Sequence, residues 1–105
     1  MSSSVFRSTL EDGVLRGTVT VARLDAAAAR HFKSALEAAW QPDLKRVELD
    51  MGEVEFVDSS GVGALISGFR KLGGVPGSML IRHARPGVRS VLELLRLDGL
   101  LEPKA

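Results

Sequence analysis

The chain contains no cysteine, which removes disulfides, thiolate nucleophiles and cysteine-ligated zinc together. Histidine is nearly as scarce, with only His31 and His83, and each reads as a surface or structural residue rather than a catalytic base. No apolar run approaches the roughly 20 residues needed to cross a bilayer, so membrane insertion is not expected. Met1-Ser2-Ser3-Ser4 lacks the basic start and apolar stretch of a secretory signal, and the expected location is cytoplasmic. Charge of one sign is missing too: 14 basic against 13 acidic residues leave a formal +1, with no global reason to attract nucleic acid or an anionic membrane.

What is present is an ordinary globular composition. The 105 residues are 45% hydrophobic and 26% charged, enough for one domain spanning 1–105 around a single core, with residues 1–4 as a flexible N-terminus. Val5 to Leu10 and Val14 to Val21 read as strands joined by the turn chemistry of Glu11-Asp12-Gly13, an opening hairpin. From Asp25 to Trp40 the period becomes helical, with Ala28, Phe32, Ala35, Leu36 and Ala39 on one face, Asp25 as N-cap and Pro42 as stop. Val47 to Val57 reads as a buried, strand-like run.

A second helix follows in which Val62, Leu65, Ile66, Phe69 and Leu72 keep i, i+3, i+4, i+7 spacing until Gly73-Gly74 ends it. Ser78 to Arg82 reads as a short strand, and Pro86 opens a last helix carrying Val88, Val91, Leu92 and Leu95 on one face. Leu97, Leu100 and Leu101 are expected to pack as a closing segment. The order β-β-α-β-α-β-α implies an α/β fold with a small mixed four-stranded sheet packed with three to four helices: helical crossovers make parallel pairs, and the hairpin adds an antiparallel one.

Functional sites in such sheets gather where strands hand over to helices. Here that place is Asp58-Ser59-Ser60-Gly61, two hydroxyls at a helix N-terminus, where free N–H groups and a partial positive charge accept an added anion. An acidic run, Glu48, Asp50, Glu53, Glu55 and Asp58, stands just before the serines; solvated surface on alternating strand or helix positions is the favoured reading for most of these charges, and a phosphate on a serine is expected to lie near the run. Spacing alone favours a plain helix cap at this turn.

Other chemistries fit less well. A nucleophile elbow needs a glycine two residues before its serine, and Val57-Asp58-Ser59-Ser60-Gly61 has none. Gly61-Val62-Gly63 opens a helix, but Ile66 occupies the third glycine position of a dinucleotide fingerprint. Gly73-Gly74-Val75-Pro76-Gly77 lacks the Lys-Ser/Thr ending of a phosphate loop. The carboxylates do not follow the spacing of a calcium loop, so no metal or other cofactor is expected.

Val57-Asp58-Ser59-Ser60-Gly61-Val62-Gly63-Ala64-Leu65 resembles the motif of the STAS family, specifically the bacterial anti-sigma factor antagonists, whose helix opens with Asp-Ser-Ser-Gly-Leu-Gly. Leu24-Asp25, Val47-Glu48-Leu49-Asp50, the glycine turn and Leu97-Asp98-Gly99-Leu100 resemble the family in order, so the likeness covers the whole chain. The resemblance implies a single STAS domain and a phosphoacceptor at Ser59. It also implies partner contacts at Asp25, Asp58, Ser59, Ser60, Gly61, Val62 and Gly63. The implied partners are an anti-sigma factor that is itself a serine kinase with an ATP-binding domain, and a PP2C-type phosphatase. The chain is then no enzyme but a kinase substrate that captures the kinase when unphosphorylated, so regulating transcription or another client.

One departure stands out: where the family often has Gly-Glu, this chain has Ala22-Arg23, a reversed charge near the expected partner surface. Two alternative roles also exist among STAS domains, an accessory subunit of a phospholipid transport ABC complex and a nucleotide-binding module.

Overall fold

The computed structural model describes residues 5–103; the expectation for residues 1–4 lies outside the described residues. Strands β1 (Phe6–Glu11) and β2 (Val14–Val19) form the expected hairpin. Asp12 and Gly13 between them both have positive φ, 54° and 78°, the left-handed pair that lets a two-residue turn follow the twist of the strands. Two residues of β3 (Arg23–Leu24) lead into helix α1 (Ala26–Ala39). Then come β4 (Arg46–Asp50), the short β5 (Phe56–Val57), α2 (Ser59–Lys71), β6 (Met79–Arg82), α3 (Pro86–Leu94) and a closing 3-10 turn at Asp98–Leu100.

The main sheet has the order β1-β2-β4-β6, antiparallel at the hairpin and parallel at the other two pairings. One face carries Leu15, Val19, Val47, Leu49, Met79 and Ile81, all buried. They meet Phe32 and Leu36 of α1, Val62 and Leu65 of α2, and Val88 and Leu92 of α3 in one core. Burying each such side chain contributes about 1.5–3 kcal/mol, so the helical periodicity read from the sequence corresponds to the main source of stability. The last segment docks where Leu101 bridges Ile81 and the Glu102 N–H donates to the Ile81 carbonyl at 2.9 Å.

One boundary differs from the sequence reading. The Val47–Val57 run is not one strand. After Asp50 the chain turns, with the Gly52 N–H donating to Asp50 Oδ1 at 2.9 Å and the Val54 N–H to the Met51 carbonyl at 3.0 Å. Met51 and Val54 are fully buried inside that turn, which gives it the apolar pattern of a strand. The second helix begins at Ser59, at the turn where the sequence places a helix N-terminus, and Ser59, Ser60 and Gly61 form its first turn ahead of the amphipathic period.

Candidate functional site: the paired helix starts at Asp25 and Asp58

A second, two-stranded sheet builds the site. β3 and β5 pair in parallel with Arg23 beside Phe56 and Leu24 beside Val57. The Ala22 carbonyl accepts from the N–H groups of Glu55 and Phe56 at 2.8 and 3.1 Å, and the Asp58 N–H reaches the Leu24 carbonyl at 3.4 Å. Leu24 and Val57 face the core, at 0% and 4% exposure. The chain leaves this ladder twice at the same level, once through Asp25 into α1 and once through Asp58 into α2. Each aspartate is extended and caps its helix: Asp25 Oδ1 accepts from the Ala28 N–H at 3.1 Å, and Asp58 Oδ1 from the Gly61 N–H at 3.0 Å.

The cap assignment decides what the serines do. Asp58 satisfies the orphan donor, so neither Ser59 nor Ser60 is needed for it. Both serines are exposed, and among the described residues neither hydroxyl is hydrogen-bonded to another side chain or to the backbone. The first turn of α2 holds no acidic side chain beyond the cap itself. Ser59 therefore presents a free hydroxyl at the positive end of a helix dipole, an environment that stabilises a phosphate.

The remaining predicted positions divide into packing and surface. Gly61 is buried against the ladder: a Cβ there would stand 2.5 Å from the Leu24 carbonyl oxygen and 2.6 Å from Val57 Cγ2. Val62 is 5% exposed. These two residues seat the helix against the ladder and the core. Gly63 is the opposite case, exposed, with nothing within 4 Å of where a Cβ would be.

Two members of the acidic run, Glu48 and Asp50, lie away from the serines. Glu48 and Asp50 alternate with the buried Val47 and Leu49 and so project from the sheet face that no helix covers. Glu48 there receives Arg46 Nε at 2.8 Å, Arg16 Nε at 3.3 Å and Arg82 Nη1 at 3.4 Å. Burial pushes the Glu48 carboxyl up, but the Arg46 hydrogen bond and the charges of Arg16 and Arg46 outweigh it and hold the group below the usual carboxylate range. Asp50 is likewise lowered: burial opposes, and the Gly52 N–H, His83 and Arg82 prevail.

Neither histidine serves the serines. His83 Nδ1 lies 3.1 Å from Asp50 Oδ2, and His31 is exposed on α1. Among the described residues no group of three or more His, Asp or Glu side chains is arranged to hold a metal ion, and no helix is long and apolar enough to cross a membrane.

Sequence reasoning missed the Arg23–Phe56 contact, in which the guanidinium carbon lies 4.4 Å from the ring centroid. Two-residue strands are too short to show a period, so nothing in the sequence announced that these residues are neighbours.

Fold and site together define a small α/β domain whose surface feature is a serine-bearing helix start. The chain belongs to the STAS domain family: residues 5–102 match the family described as Mlab, STAS domain. The anti-sigma factor antagonist SpoIIAA in its unphosphorylated form shares the fold with a TM-score of 0.78 at 22% identity, over 95% of this chain and 88% of that one. SpoIIAA in its phosphorylated form, described as a Bacillus cell fate determinant, gives 0.72 at 20% identity over 95% and 91%. An anti-sigma factor antagonist from Mycobacterium paratuberculosis gives 0.75 at 24% identity over 98% and 90%.

Proposed function

We propose that this chain is a partner-switching regulator of the anti-sigma factor antagonist type, acting in the cytoplasm as a binding protein and kinase substrate. In its unphosphorylated form it binds an anti-sigma factor that carries an ATP-binding serine kinase domain, and that capture releases the client. The kinase phosphorylates Ser59, capture ends, and a PP2C-type phosphatase resets the cycle. The observation that carries this reading is the division of labour at the turn: Asp58 caps α2, leaving the exposed Ser59 hydroxyl unengaged.

The physical basis of the switch is a difference between fold and interface. A phosphoserine adds a charge of about −1.5 to −2 at a helix end that tolerates it, so the domain stays folded. Against a docked partner the same dianion must lose water, beside the Asp58 carboxylate. A loss of about 2 to 4 kcal/mol in binding corresponds to roughly 30- to 1000-fold in affinity. Glu48, paired with Arg46, Arg16 and Arg82 on the open face of the sheet, adds nothing to this repulsion.

The test is intact-mass measurement after incubation with the cognate kinase and ATP, on the native chain and on Ser59→Ala. One phosphate on the native chain and none on the variant is the expected result; transfer to both, or to neither, contradicts the assignment.

A second reading is favoured by the Mlab description of the matched family: an accessory subunit bracing the ATPase of a phospholipid transport complex. Stable co-purification with an ABC ATPase, unchanged in Ser59→Asp, selects that reading over the switch.

A further inference from the structure

We infer that Arg23 and Phe56 form a docking plate for a carboxylate on the partner kinase, and that Arg23 sets partner selectivity. This inference rests on the proposed partner switch and names the chemistry of its interface.

The β3–β5 ladder has two sides with different duties. Its inward side, Leu24 and Val57, belongs to the core. The other side carries Arg23 and Phe56 in register, and Phe56 is 40% exposed. The fold gains little from an aromatic ring left that open to water, whereas arginine and aromatic side chains are the residues that anchor protein interfaces.

The guanidinium carbon lies over the ring at 4.4 Å, a cation–π contact that uses none of its N–H donors. Among the described residues no carboxylate lies within ion-pair distance of Arg23. A planar, oriented guanidinium with free edges matches an Asp or Glu side chain bidentately.

Position supplies the connection to the switch. Phe56 precedes Ser59 by three residues, and the same ladder hydrogen-bonds to Asp58 through the Leu24 carbonyl. On this proposal a partner that covers Ser59 meets the plate at the margin of its footprint. One arginine in a chain of formal charge +1 is no polybasic patch, so a protein carboxylate is favoured over a membrane or nucleic acid.

The experiment is calorimetric titration of the unphosphorylated chain with the kinase that modifies Ser59, at low and physiological salt. Arg23→Glu is expected to weaken binding by at least about tenfold and to invert its salt dependence, since it places like charges together. Arg23→Lys keeps the charge but loses the fork, and is expected to weaken binding by about threefold or more. Phe56→Leu removes the stacking surface and is expected to weaken binding as well. If Arg23→Glu lowers the melting temperature, Arg23→Gln is read in its place. Affinity of these variants within about twofold of the native chain overturns the inference while leaving the switch intact. No binding by the native chain overturns both. Restoration of Arg23→Glu binding by an acidic-to-lysine change on the kinase identifies the carboxylate.

Discussion

Asp25 and Asp58 stand at equivalent places, each one residue beyond a rung of the same two-residue ladder and each capping the helix that follows. The core residues Leu24 and Val57 fix the level of the two caps, and packing between α1 and α2 keeps the helices side by side. The serine-bearing turn is thus held by the domain's most buried contacts rather than by its surface.

The cap itself is testable by substitution. Asp58→Ala is expected to cost about 1 kcal/mol in denaturant unfolding, and Asp58→Asn much less, because asparagine caps nearly as well. Asp25→Ala is expected to cost a similar amount at α1. An Asp58→Ala variant as stable as the native chain contradicts the capping geometry.

Two glycines in one turn of α2 are expected to respond with opposite signs. Gly61→Ala drives a methyl into the Leu24 carbonyl and Val57 and is expected to destabilise by about 1–3 kcal/mol. Gly63→Ala meets nothing and is expected to stabilise by about 0.5–1 kcal/mol, the usual gain from glycine to alanine inside a helix. Under the proposed function, the open surface at Gly63 is one of the partner contacts. The same Gly63→Ala variant is expected to bind the kinase more weakly while melting at a higher temperature.

Acid is expected to act through the far face of the sheet. Glu48 and Asp50 have lowered values in the folded state, so their contribution to stability is complete above the ordinary carboxylate range of about 4 and is lost progressively as the pH falls from there through the lower folded-state values. Melting curves between about pH 7 and pH 3 are expected to show a steeper decline for the native chain than for Glu48→Gln. Parallel declines contradict the ion-pair account.

How much of this was legible in the sequence depends on the length of each signal. α1 and α2 repeat an apolar face over several turns, and Asp12-Gly13 is a strong two-residue turn, so the helices and the hairpin were visible. Met51 and Val54 misled, because buried side chains on a turn imitate a strand when only hydropathy is read. Alternation with the buried Val47 and Leu49 put Glu48 and Asp50 on the second face of their strand, which was legible, but not that this face turns away from the serines. At the motif the sequence favours Asp58 as the cap, and the structure shows Asp58 capping α2 while the Ser59 hydroxyl stays exposed.

The central claim is that phosphate on Ser59 changes docking without changing the fold. The most direct measurement is the affinity of the kinase for the native chain and for the same chain bearing phosphoserine at position 59, with melting curves of both. The account predicts a loss of roughly 30-fold or more in affinity with the fold retained. Equal affinities, or a phosphorylated chain that has unfolded, contradict it.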